Sequence, residues 1–153
     1  MQEKPMVSIL CDTYNHEKYI AHALESFLMQ KTDFSFEILV HDDASTDATP
    51  DIVREYSTKY PNLIKPILQT ENQYSKGVNI LQTIQFPRAN GKYVAVCEGD
   101  DYWIDFNKLQ LQVNWLENHP EDIGCVHKYI VVDENENIQN VRTFGYYDQE
   151  SRY

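Results

Sequence analysis

The sequence is short of the features that mark several large classes of protein. No apolar run is long enough to span a bilayer, and the opening Met1-Gln2-Glu3-Lys4-Pro5 lacks the apolar core of a signal peptide. Basic residues are scarce: 13 Lys and Arg stand against 24 Asp and Glu, for a net charge of −11. Binders of nucleic-acid backbones carry basic patches, so no nucleic acid is expected as a partner. Only three cysteines occur, Cys11, Cys97 and Cys125, far apart and each in an apolar run. Zinc sites need closely spaced pairs, so these read as buried, reduced thiols of a cytosolic protein. The histidines His16, His22, His41, His119 and His127 have no metal-ligand spacing and read as surface or packing residues. No Gly-x-Gly-x-x-Gly follows the first apolar run, which argues against a dehydrogenase, and no Gly-Lys-Ser/Thr phosphate loop is present. Any phosphate held here would depend on a metal instead of a glycine cradle.

What is present is an alternation of short apolar runs and helical stripes. The 153 residues suit a single domain, 1–153, with a real core. Val7 to Cys11 and Phe36 to Val40 read as strands, Leu63 to Leu68 as a weaker one and Lys92 to Cys97 as a buried one. Pro66 puts the third at an edge or bulge. Between them, Tyr19 to Leu28 carries a helical stripe with Asn15 as its cap and Glu17 in its first turn. Thr49-Pro50 starts a second helix, and Gly77 to Phe86 reads as a short one that Pro87 ends. Asp105 caps a last helix running to about Asn118, with Leu109, Val113 and Leu116 inward. Ile123 to Val132 and Ile138 to Val141 form a hairpin about the turn Asp133 to Asn137. This order predicts an α/β fold: a mainly parallel twisted sheet, helices on both faces, and a C-terminal β-hairpin that makes the sheet mixed.

The chemistry gathers at the strand ends. Val94-Ala95-Val96-Cys97 stops abruptly at Glu98-Gly99-Asp100-Asp101, three acids in four positions. Such acids repel one another unless a cation sits among them. Two other strands end in polar loops, Asp12-Thr13-Tyr14-Asn15 and Asp42-Asp43-Ala44-Ser45. In a parallel sheet these ends share one edge, where ligands bind. Carboxylates can accept a base N–H or ribose hydroxyls, and Tyr14 offers a ring for stacking. Plainer readings stand beside this: helix caps for Asp42, Asp43, Ser45 and Asp47, packing for Tyr14, and a solvated turn for the acids. The coincidence of three such loops favours a nucleotide and metal site.

Val7-Ser8-Ile9 with Thr13-Tyr14-Asn15, Asp42 to Asp47, and Gly91-Lys92-Tyr93 leading to Glu98-Gly99-Asp100-Asp101 resemble the family 2 glycosyltransferases of the Rossmann-like GT-A fold. The resemblance covers residues 6 to 142, and Glu98 to Trp103 looks like bacterial enzymes of surface-polysaccharide synthesis. It implies a nucleotide-sugar donor, most often a UDP-sugar, with Mn²⁺ or Mg²⁺, an inverting transfer, and a glycan or lipid-linked acceptor. By position, Asp12, Thr13 and Tyr14 lie where the family's first loop meets the base, and Asp43 matches the carboxylate that reads uracil. Asp100 matches the acid near the ribose, Asp101 the metal-binding acid, and Glu98 a second metal neighbour. Lys76 falls near a basic position facing the diphosphate. A cytoplasmic location, with peripheral association at the inner face of the membrane, is expected.

The sequence departs from the family pattern in places. Asp12 replaces a proline or hydroxyl residue, Phe106 stands where a proline is common, and the Arg-Asn element before the acidic strand is absent, with Lys76 and Asn79 nearest. About fifty residues follow Asp101, whereas the family's acceptor half and its general base lie well beyond that point. The expectation is therefore a donor-binding half, with the base beyond Tyr153; Asp133 and Asp148 are late acids that could be proposed for it. The alternative is a non-catalytic nucleotide-sugar-binding module or inactive fragment. A sugar nucleotidyltransferase is disfavoured, because Asp12 to Asn15 is not a glycine-rich basic loop.

Overall fold

Four apolar runs pair into one parallel sheet in the computed structural model, which describes residues 4–133 and 135–142. They are β1 (Val7–Thr13), β2 (Phe36–Asp42), β3 (Ile64–Leu68) and β4 (Tyr93–Val96), in the order β3-β2-β1-β4. Val7 faces both Phe36 and Tyr93 in register, so β1 is held on both sides. The helices are α1 (Ile20–Leu28), α2 (Thr49–Lys59) and α3 (Lys108–Asn118). The described residues divide into two compact units at the Trp115–Leu116 bond.

Strand alternation sorts the first unit's interior. Val7, Ile9 and Cys11 of β1 share a core with Ile38 and Val40 of β2. The helices feed that core through Ile20, Leu24 and Phe27, Val53, and Leu109 and Val113. Burying each of these larger side chains contributes about 1.5–3 kcal/mol. The opposite sheet face carries Ser8, Leu10 and Asp12 against Glu37, Leu39 and His41. Its cover is a π-turn (Leu81–Gln85) running into a 3-10 turn (Phe86–Arg88) instead of a long helix. Pro87 therefore does not end the helical segment. It stands in the first turn of the 3-10 piece, where its missing N–H costs nothing.

Pro66 lies on the edge strand β3, as its lack of an N–H requires. The fourth strand is the other edge and is only half-buried. Ala95 packs on the core while Val94 and Val96 are 39% and 49% exposed. An unbroken apolar run did not mean burial on both faces. Under the second face, Glu37 is buried and accepts from the Ser8 hydroxyl at 2.7 Å, the Asn90 N–H at 3.0 Å and the Lys65 ammonium at 2.6 Å. Burial pushes its carboxyl up, but these donors outweigh it and leave it below its ordinary value.

In the second unit, β5 (Tyr129–Val132) and β6 (Ile138–Arg142) form an antiparallel pair of their own and do not make the main sheet mixed. Among the described residues the pairing runs back to Tyr129, opposite Arg142, and 123–128 are not assigned to a strand. Asp133 holds the turn: its oxygens accept from the backbone of Asn135 and Asn137 and from Gln139. It acts as a turn residue. Asp148 lies outside the described residues. Cys11 and Cys97 are buried as expected, whereas Cys125 is only partly so. No helix among the described residues is long and apolar enough to cross a membrane.

Candidate functional site

The loops after β1 and β2 are built as one object. Asn15 has a left-handed φ of 55°, a conformation asparagine tolerates. Its N–H donates to Ser45 Oγ at 2.8 Å, and its Oδ1 accepts the Thr46 N–H at 2.8 Å. Asn15 is thus a bridge between loops and does not cap α1, which starts after Tyr19 with no side-chain cap. Glu17 belongs to the other helix: its Oε2 accepts the Ala48 N–H at 2.9 Å, at the positive end of α2. Asp47 accepts the Thr49 N–H at 2.9 Å and the Glu17 N–H at 3.1 Å. Thr49 is not the cap of α2: Ala48 stands at that position, and no side-chain cap bond is made. Asp42 closes its own turn, accepting the Ser45 hydroxyl at 2.5 Å and the Ser45 N–H at 3.1 Å.

A cavity of about 1210 Å³ opens at the carboxyl ends of the strands. Asp12, Thr13, Tyr14, Asp43 and Glu98 all line it. Its far wall is the segment from Asn72 to Leu81, of whose lining residues the sequence had singled out only Asn79. Asp43 fastens that wall: Oδ1 accepts the Gln73 N–H at 2.7 Å and Oδ2 the Tyr74 N–H at 3.0 Å. Asp12 accepts from Gln85 Nε2 at 2.8 Å. Burial pushes the Asp12 carboxyl up, partly offset by Gln85 and by His41 and Arg88 nearby. Tyr14 is 45% exposed, so its ring is available at the cavity wall.

The acidic loop lies against the end of β1. The Gly99 N–H donates to the Asp12 carbonyl at 2.9 Å. A Cβ on Gly99 would stand 2.6 Å from Thr13 Oγ1 and 3.1 Å from His16 Nδ1, so the approach requires glycine. Both of those atoms are buried without a hydrogen-bond partner. His16 Nε2 stands 3.8 Å from Asp100 Oδ2. Further along, Tyr102 meets the His22 ring at 5.0 Å between centroids, and Trp103 meets Phe27 at 4.8 Å. The first helix thus anchors the acidic loop. Partial desolvation pushes the Glu98 carboxyl up, and repulsion from Asp100, Asp101 and Asp12 adds to it.

Asp100 and Asp101 are exposed and, like Lys76, are not among the residues lining the cavity. The Lys76 ammonium is paired with Glu71. Among the described residues no three His, Cys, Asp or Glu side chains gather into a ready-made metal site. The donor set still fits a hard divalent ion. Repulsion within Glu98-Gly99-Asp100-Asp101 is the kind a cation relieves, and Mg²⁺-type ions usually take one or two carboxylates plus substrate phosphates.

A parallel sheet with acidic loops and an aromatic at one rim, closing on one cavity, puts the candidate site beyond the carboxyl ends of the strands, where open α/β sheets bind ligands. The chain belongs to the family described as glycosyl transferase family 2, whose profile matches residues 8–153. The Mycobacterium tuberculosis protein Rv1520 is 46% identical over 129 residues, covering 84% of this chain and 36% of its own length. TarS of S. aureus (residues 1–349), solved with UDP and with UDP-GlcNAc, is similar at TM-score 0.62 and 34% identity, over 74% of this chain and 32% of that one. The mannosyltransferase PcManGT from Pyrobaculum calidifontis, solved with GDP-Man and Mn²⁺, is similar at TM-score 0.63 and 28% identity, over 75% of this chain and 33% of that one. The fold is the expected α/β GT-A type. The chain spans about a third of the length of these relatives.

Proposed function

We propose that this chain carries the donor-binding part of a glycosyltransferase, holding a nucleotide-sugar through its base, ribose and diphosphate. The observation that carries the reading is the convergence of Asp12, Thr13, Tyr14, Asp43 and Glu98 on a single cavity. Its volume is ample for a nucleotide-sugar. Tyr14 and the first two loops form the base end. Asp100, tethered towards α1 through His16, serves the ribose. Asp101 with Glu98 would hold Mn²⁺ or Mg²⁺, which when bound offsets charge on the departing diphosphate. Lys76 can reach the diphosphate only by exchanging Glu71 for phosphate, and both side chains are exposed enough to do so.

In this reading the protein fixes the donor so that an acceptor hydroxyl attacks the anomeric carbon from the side opposite the diphosphate, inverting it. Holding the reactants in line and aiming charge at the leaving group supply much of the rate. A carboxylate base takes the hydroxyl proton. The role this reading gives to the chain is donor binding, with a glycan or lipid-linked acceptor as the second substrate. A UDP-sugar is the first choice of donor, in keeping with the nucleotides bound by TarS. Cytoplasmic location, with contact at the inner membrane face, belongs to the same proposal.

Calorimetric titration with UDP and GDP, in Mn²⁺ and in EDTA, tests it. Micromolar to millimolar binding that weakens in EDTA and in Asp101→Asn supports the reading. Equal affinity with and without metal, or no binding of either nucleotide, contradicts it.

A further inference from the structure

The acidic loop is pinned at both ends, and its middle meets His16. At its start the Gly99 N–H donates to the Asp12 carbonyl, and at its end Tyr102 and Trp103 lie against the His22 and Phe27 rings of α1. Between these, Asp100 Oδ2 stands 3.8 Å from His16 Nε2. The acids of this stretch repel one another, so the middle of the loop splays unless something holds it.

His16 is set for that task from behind. Its Nδ1 is buried without a hydrogen-bond partner, and so is Thr13 Oγ1. Both atoms lie against Gly99, where an added carbon would stand 3.1 Å from the first and 2.6 Å from the second. Thr13 ends β1 and is 3% exposed, so its hydroxyl has no bulk water to turn to. Each atom lacks what the other offers. An ionised carboxylate only accepts, so the ring nitrogen facing Asp100 is the one that carries the proton. Nδ1 is then a bare lone pair, and the Thr13 O–H is a donor. Pairing the two satisfies both buried atoms and fixes the plane of the ring.

We propose that His16 is a positioning residue for the acidic loop: Thr13 donates to its Nδ1, and its Nε2–H holds Asp100 in place for the donor. The proposal rests on the reading of the cavity as a nucleotide-sugar site. His16 is absent from the cavity lining, so it acts through Asp100 and not on the donor itself. The 3.8 Å approach shortens to a hydrogen bond when the donor is bound.

Nitrogen-15 NMR of the native chain in mildly alkaline buffer reads which ring nitrogen of His16 carries the proton, with the His16→Gln spectrum assigning the signal. A proton on Nε2 alone is expected. A proton on Nδ1, alone or with Nε2, overturns the proposal. Calorimetric titration with UDP and GDP in Mn²⁺ reads the consequence. His16→Gln keeps an N–H near the Nε2 position and should bind the better nucleotide within about threefold of the native chain. His16→Asn, whose amide reaches only as far as Nδ1, and His16→Ala should each weaken it about fivefold or more, with an unchanged circular-dichroism spectrum. Thr13→Val should do the same. The Thr13→Val/His16→Ala double variant should match the weaker single variant to within about twofold, because the two residues act as one unit. Losses that multiply in the double variant, or native affinity in His16→Asn, overturn the proposal. Where a variant does not fold, the ring proton of the native chain decides. No binding of UDP or GDP by the native chain overturns the nucleotide reading instead, and the ring proton still decides the contact.

Discussion

Gly99 and Thr13 approach so closely that a single added carbon on the glycine would stand 2.6 Å from the threonine hydroxyl oxygen and 2.7 Å from its Cβ. The acidic loop thereby rests on the end of β1, beside the cavity. Gly99→Ala should cost about 1–3 kcal/mol, as overpacking does, and should weaken nucleotide binding as the loop moves. Gly77 makes the contrast: its φ is 79°, but a Cβ there meets nothing within 4 Å. Gly77→Ala should cost only the left-handed penalty of about 1–2 kcal/mol. Gly91 should be the worst of the three, because its Cβ would stand 2.5 Å from the Ser8 backbone nitrogen, which cannot yield. Urea denaturation of the three variants gives the ranking.

Asn15 makes a second conformational test. Asn15→Ala loses the bond to Thr46 and replaces a residue that tolerates a positive φ with one that does not. A loss of about 1–3 kcal/mol is expected. Asn15→Gly relieves the backbone term alone and should recover part of it, a difference visible in thermal melts.

Glu37 sets an acid limit on stability. Its carboxyl lies below its ordinary value of 4.5 because the Lys65, Asn90 and Ser8 donors outweigh burial. A group lowered in the fold contributes stability above its unfolded pKa, and loses it as pH falls through the folded one. Stability should therefore decline as pH drops below about 5. Glu37→Gln should be less stable at pH 7 by about 1.5–3 kcal/mol and show a shallower acid decline. Denaturant titrations between pH 3 and pH 7 check both points.

The thiols should separate by reactivity. Cys11 is fully buried and its thiol is pushed well up by burial, while Cys97 is pushed up to about 12, chiefly by burial with Asp101 adding. Thiolate is the reactive form, so both should be inert in the folded chain. Cys125, partly exposed, should react first with a disulfide reagent. The other two should follow only in denaturant.

The sheet was legible because its strands are short apolar runs with turn residues between them, and Pro66 marked an edge correctly. Thr49-Pro50 marked the start of α2. The site's first wall was legible for the same reason, since polar residues at the ends of parallel strands must share a rim. What escaped was everything set by partners distant in sequence. Glu17 serves a helix 31 residues away, and Gln85 reaches the β1 end across 73 positions. Neither has a local pattern that names its partner: Glu17 lies in the turn before α1, and Gln85 ends the π-turn. Asp43's two backbone bonds were equally invisible, because the Gln73–Tyr74 segment that donates them has no periodicity. Val94 and Val96 misled for an opposite reason: composition suggests burial, but only pairing order reveals an edge.

The most direct measurement is the Mn²⁺ resonance signal in solution. Free hexaaqua Mn²⁺ is titrated with UDP alone, with the chain alone, and with both. The account predicts that chain and UDP together remove far more free Mn²⁺ than the sum of their separate effects, and that Glu98→Gln with Asp101→Asn abolishes the excess. A free signal equal to that sum would contradict a metal shared between the acidic loop and a nucleotide diphosphate.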